Sequence, residues 1–153
     1  ILTHGHPDHI GALQEIKDKT QAKTALHQSD EAILSGVRNR LQSQFEIKSI
    51  PSVDMKLKGG EVLKVGEISL EIIHTPGHTP GGICIKVNDM IFTGDTLFAG
   101  SIGRTDFPGG SYEQIMDSIN SKLLTQNDDT VIYPGHGDKS TIKREKATNP
   151  FLQ

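Results

Sequence analysis

The sequence predicts an α+β domain with candidate metal ligands gathered along one sheet edge. Three observations predict it. Residues 57–93 read as strands: Glu61 to Val65 and Ile68 to His74 form a hairpin across Gly66-Glu67, and Gly82 to Val87 and Met90 to Thr93 form another across Asn88-Asp89. Helical spacing lies on either side, with Ile10, Leu13 and Ile16 before the strands and Tyr112, Ile115, Ile119 and Leu123 after them. Finally, metal-capable residues follow predicted strands: His4 after residues 1–3, His78 after 68–74, Asp95 after 90–93 and His136 after 130–133. Loops then carry the chemistry while sheets hold it in register.

The chain has 153 residues, 34% hydrophobic and 23% charged, with no Trp, which fits one soluble domain over 1–153 with a real core. No apolar run approaches the ~18 residues of a spanning helix, so no membrane partner is expected. A net charge of -3 gives no electrostatic case for nucleic acid or anionic lipid. With Cys84 alone there is no intramolecular disulfide, which suits a reducing cytoplasm, the expected location. The chain opens on Ile1-Leu2-Thr3, without Met and already reading as the end of a strand. An N-terminal portion is therefore expected to precede it, and any signal peptide would lie there.

Thr3-His4-Gly5-His6-Pro7-Asp8-His9 places four metal-capable side chains within six residues. Imidazoles and carboxylates are the nitrogen and oxygen donors that borderline divalent metals prefer. Pro7 fixes its own φ and pushes His6 toward extended backbone, which argues against a helix through His4 to Pro7. In an extended segment His4, His6 and Asp8 would point the same way, and His9 would lie where a helix begins at Ile10. A surface tag of scattered His and Asp is the alternative. It does not explain why histidines recur on two later turns, Pro76-Gly77-His78 and Pro134-Gly135-His136-Gly137.

Residues 10 to about 19 are helical by spacing. Ala22 to His27 reads as a strand, and Ser29-Asp30-Glu31 opens a second helix with Ser29 as its cap. His27 is isolated and structural. Residues 36 to 56 are poorly patterned and read as a solvated connection. Cys84 is a packing residue. Thr75 to Gly82 holds two prolines and three glycines, so His78 rides a tight loop; Pro76 forbids the helix that would pair His74 with His78. Gly94-Asp95 follows a strand end, where acids often cap turns. Gly100 to Gly110 lacks phosphate-loop spacing. Ser111 to Gln114 matches a capping box. Thr130 to Tyr133 is a strand leading to His136, and Ser140 or Thr141 opens a last helix that Asn149-Pro150 stops.

The order His-x-His-x-Asp-His, Pro-Gly-His, Gly-Asp, Gly-His-Gly resembles the metallo-β-lactamase superfamily over nearly the whole chain. Thr75-Pro76-Gly77-His78-Thr79, Thr93 to Phe98, Gly103-Arg104-Thr105-Asp106 and Asn149-Pro150-Phe151-Leu152 look like its short glyoxalase II-like (hydroxyacylglutathione hydrolase-like) members. The resemblance implies an αββα sandwich with metals at one edge, the first sheet starting upstream of the His motif. It implies that His4, His6 and His78 hold one divalent metal, Asp8, His9 and His136 another, and that Asp95 bridges both. Zinc is the expected ion, with iron and manganese as the other candidates. It further implies hydrolysis of a small-molecule thioester by a metal-bridging hydroxide, in which Asp8 and Asp95 serve catalysis.

Two departures from glyoxalase II proper qualify the substrate. No C-terminal helical domain is expected here, and the Lys and Tyr of its substrate loop are replaced by Arg104 and by Asp106-Phe107. Arg104 is a candidate to bind a substrate carboxylate, or else to pair with Asp106. A mononuclear iron persulfide dioxygenase-like oxidoreductase is the alternative, since that family resembles this chain in the Gly-Arg-Thr-Asp loop. The same loop and the Asn-Pro-Phe-Leu run disfavour a β-lactamase.

Overall fold

In the computed structural model, described over residues 1–36 and 52–153, the helices form the outer layers and two sheets lie between them. The chain begins with α1 (Pro7–Ile10) and α2 (Leu13–Thr20), then β1 (Ala25–His27), a 3-10 turn at Gln28–Asp30 and α3, described over 31–36. It continues through β2 (Met55–Leu57), β3 (Val62–Val65), β4 (Ile68–His74), β5 (Ile83–Val87), β6 (Met90–Gly94), β7 (Leu97–Phe98) and β8 (Ser101–Ile102). Last come α4 (Tyr112–Ser118), which continues as a π-helical segment over Ile119–Leu123, then β9 (Val131–Pro134), β10 (Ser140–Thr141) and α5 (Ile142–Thr148).

Strands β3 to β6 form the antiparallel meander that the two hairpin signals predict, with Asn88 in left-handed conformation (φ 52°) at the second turn. The full sheet runs β10-β9-β6-β5-β4-β3. Within this sheet, among the described residues, β6 and β9 alone pair in parallel, so both strands leave it at the same edge. A second sheet pairs β1 with β2 in parallel, and a third, small one pairs β7 with β8.

Three apolar clusters define the layers. Ile10, Leu13, Leu26 and Leu34 join the first helices to β1. Ala25 and Leu57 of one sheet meet Ile72 and Ile83 of the other. Cys84, Ile91 and Ile132 pack under Ile115, Ile119, Leu123 and Ile142 of the C-terminal helical layer. Helix, sheet, sheet, helix is the αββα order.

Local details depart from the sequence reading. No helix runs through His4 to Pro7, but the first helix starts at Pro7 and not at Ile10, because Pro is well suited to the first helical position, where no N–H is needed. His6 stays extended (φ -73°, ψ 154°), but Asp8 and His9 turn with the helix, so His4, His6 and Asp8 do not share one direction. Ser29 caps nothing; the side chain of His27 accepts the Ser29 N–H instead. Tyr112 is 56% exposed, so the buried stripe of that helix is Ile115, Ile119 and Leu123. Ser111 does cap α4, accepting the Gln114 N–H, and Thr141 caps α5 by accepting the Arg144 N–H. Strand β2 lies in the stretch read as a connection; most of that stretch, including Arg38 and Arg40, falls outside the described residues.

Candidate metal centre

The backbone brings all seven predicted donors to one end of the sandwich. His4 and His6 lie just before α1, and Asp8 and His9 lie within it. His78 sits on the β4–β5 loop, Asp95 directly after β6, and His136 two residues after β9. Their donor atoms form three interlocking groups, each within 4.8 Å: His4 with His6 and His78; His4 with His9 and Asp95; Asp8 with His9 and His136. His6 Nδ1 is 2.9 Å from His78 Nε2, and His9 Nε2 is 3.3 Å from His136 Nε2. Asp8 Oδ2 lies 3.0 Å from His136 Nε2, while Asp95 reaches His9 (3.3 Å), His78 (3.6 Å) and His136 (3.6 Å). Asp95 thus faces donors of every group.

Two atoms within this cluster test whether a metal fits. His4 Nε2 is buried with no hydrogen-bond partner, and Asp95 Oδ1, also buried and without a hydrogen bond, has the His9 ring 3.3 Å away. Leaving a buried polar atom unsatisfied is costly, and both are lone-pair donors of the kind a divalent cation takes. The tautomer of His78 agrees: its Nδ1–H donates to the Arg104 carbonyl (2.7 Å), so Nε2 presents a lone pair to the cluster. The donor set fits one or two borderline divalent ions.

Electrostatics shifts His4, His6 and Asp95 toward the ligand form. Burial, reinforced by His9, pushes His4 down to about 2, so it is neutral at physiological pH. Burial and then His78 lower His6. Burial pushes Asp95 upward, but contact with His9 and proximity to His4 outweigh it, and its pKa lies below the ordinary value. His9 moves the other way, raised chiefly by its contact with Asp95 3.3 Å away.

Beside the cluster opens a cavity of about 880 Å³. Ile33, Phe98, Ile102 and Phe107 give it apolar walls, and His6, His78, Asp95 and His136 form one end. Arg104 also lines it, but its Nε and Nη2 donate to the two Asp106 oxygens (2.7 and 2.6 Å), and its guanidinium lies 4.0 Å from the centre of the Phe107 ring. His27 and His74 stay outside the cluster, stacked on each other 4.0 Å apart.

Comparison with known proteins agrees with this geometry. Residues 1–136 match the metallo-beta-lactamase superfamily model, and the chain belongs to that superfamily. It is similar to the hydroxyacylglutathione hydrolase GloC of Haemophilus influenzae, at 42% identity over 99% of this chain and 74% of that one. Among solved structures it resembles the BLEG-1 B3 metallo-beta-lactamase (TM-score 0.87, 34% identity, 98% of this chain and 74% of that one). It also resembles TTHA1623 in a di-iron-bound form (TM-score 0.81, 31% identity, 98% and 75%). These relationships make the chain a hydrolase-like enzyme of a metal-dependent superfamily. Among the described residues, no helix is long and apolar enough to cross a membrane.

Asp30 is a residue whose importance the sequence reading missed. It is fully buried, and it bonds to the loops on both sides of the first histidine triad. An acid in a first helical turn is ordinary in sequence; only the contacts distinguish it.

Proposed function

We propose that the chain hydrolyses a small-molecule thioester at a centre of two divalent ions. The observation that carries this is the set of three interlocking donor groups opening onto an apolar cavity. His4, His6 and His78 would hold one ion, Asp8, His9 and His136 the other, and Asp95 would serve both. Zinc is the favoured ion, and the likeness to a di-iron protein keeps iron a candidate. Ions so held supply Lewis acidity and bring the pKa of water toward neutrality.

The protein's own residues do the rest. The apolar walls at Ile33, Phe98, Ile102 and Phe107 take the acyl chain and exclude bulk water. Asp95 fixes His9 electrostatically, and the Arg104 carbonyl fixes the His78 ring. Water adds to the carbonyl carbon, the C–S bond breaks, and carboxylate, thiol and one proton are the products. The likeness to GloC suggests a glutathione thioester, but the Arg104 guanidinium is bound to Asp106, which favours substrates that do not need it as a carboxylate anchor.

The test is metal content by mass spectrometry together with thiol release from S-lactoylglutathione and from simple acyl thioesters. Two ions per chain and thiol release are expected. His136→Ala should keep one ion and lose turnover. One iron with oxygen uptake on a persulfide would point to redox chemistry, and nitrocefin turnover to a β-lactamase. Metal-loaded protein that cleaves no acyl thioester defeats the proposal.

A further inference from the structure

One buried carboxylate takes no part in the proposed reaction, yet it holds together two of the centre's three histidine-bearing segments. Asp30 ends the 3-10 turn after β1 and is 0% exposed. Among the described residues it forms no ion pair, although His6 and His74 are close enough to feel its charge. Its oxygens instead accept three hydrogen bonds: the Gly5 N–H (3.0 Å) and the Thr79 hydroxyl (2.8 Å) at Oδ2, and the Gly81 N–H (2.6 Å) at Oδ1. Gly5 separates His4 from His6, and Thr79 follows His78. A single carboxylate therefore clamps both loops that supply the His4, His6 and His78 group, and makes no hydrogen bond to the loop of His136.

The approach is tight enough to require the residues that surround it. A Cβ on Gly81 would lie 2.6 Å from Asp30 Oδ1 and 2.7 Å from its backbone nitrogen, and one on Gly5 would lie 3.1 Å from the Asp30 carbonyl. Charge adds to geometry. A buried carboxylate with no ion pair among the described residues is costly even when hydrogen-bonded, so a cation in the adjacent triad relieves a penalty present in the metal-free fold.

We infer that Asp30 is a positioning residue that sets the affinity of the His4, His6 and His78 position selectively, leaving the Asp8, His9 and His136 position nearly untouched. The inference rests on the two-ion reading above. Its test is a Zn²⁺ titration of the metal-free full chain against a chromophoric chelator, with Co²⁺ absorption spectra and circular dichroism alongside. For Asp30→Asn, one of the two affinities should fall by about 10- to 100-fold while the other stays within about 3-fold. Thr79→Val, which removes one of the three donors, should weaken the same site by less. His136→Ala isolates the first position, so Asp30→Asn in that background should lose its remaining ion at concentrations where His136→Ala alone is filled. Equal weakening of both sites, or wild-type affinities in Asp30→Asn, overturns the inference. If Asp30→Asn does not fold, Thr79→Val decides, and unchanged affinity there overturns it. Wild-type protein that binds no zinc defeats the two-ion reading instead.

Discussion

Gly135→Ala is a sharp probe of the proposed centre, because the added methyl group meets two candidate ligands and little else. Gly135 does not adopt a left-handed conformation, so alanine is tolerated by the backbone. Its Cβ, however, would lie 2.3 Å from Asp95 Oδ1 and 2.7 Å from His9 Cε1, where ordinary contact begins near 3.4 Å. Both side chains must retreat, Asp95 by roughly 1 Å, about twice the tolerance of a working site. Overpacking of this kind costs about 1–3 kcal/mol of stability if nothing yields. Here side-chain ends can yield, so the larger loss should fall on metal binding. Competition titration with zinc should show at least one affinity reduced by about 10-fold or more, with the far-UV circular dichroism of the metal-free form unchanged. Wild-type affinity for both ions in Gly135→Ala would refute the placement of Asp95 and His9 as shared-centre ligands.

Other expectations concern the scaffold and the cavity. Ile115 is fully buried against the main sheet, so Ile115→Ala should destabilise by about 2–5 kcal/mol in urea denaturation. Burial pushes the Cys84 thiol up to about 11, so native protein should resist iodoacetamide at pH 8 and react once unfolded. Because the folded pKa exceeds the ordinary value of 9.0, unfolded chains release the proton first, and this group's contribution makes stability fall between about pH 9 and 11. Asp106→Ala frees the Arg104 guanidinium and should lower KM for acyl thiols bearing a carboxylate relative to neutral ones, by steady-state kinetics. This pair is exposed, so Asp106→Ala should leave unfolding stability nearly unchanged.

The candidate donors that the structure brings together could be picked out in the sequence because their signals are local. His-x-His-x-Asp-His is contiguous, and His78, Asp95 and His136 each sit beside Gly or Pro at a strand end. The β3 to β6 meander was legible for the same reason, since period-two segments and turn residues adjoin each other. What depends on distant partners was not. Asp30 acquires its role from Gly5, Thr79 and Gly81, up to 51 residues away. Strand β2 exists through parallel pairing with β1 and has no hairpin signal of its own. The sequence reading places the start of the first helix at Ile10 and not at Pro7, because Pro interrupts helices in their interior and also begins them.

The parallel pairing of β6 with β9 has a consequence for how this protein can change. Asp95 and His136 emerge from neighbouring strands, whose separation of about 4.8 Å is fixed by backbone hydrogen bonds and not by what connects them. The intervening stretch carries Phe98, Ile102, Arg104, Phe107 and α4, which includes much of the cavity wall. Insertions or replacements there can reshape the cavity without altering the spacing of the two side chains at its ends. Cavity shape can thereby change apart from the Asp95–His136 spacing, so long as the Arg104 carbonyl within that stretch still orients the His78 ring.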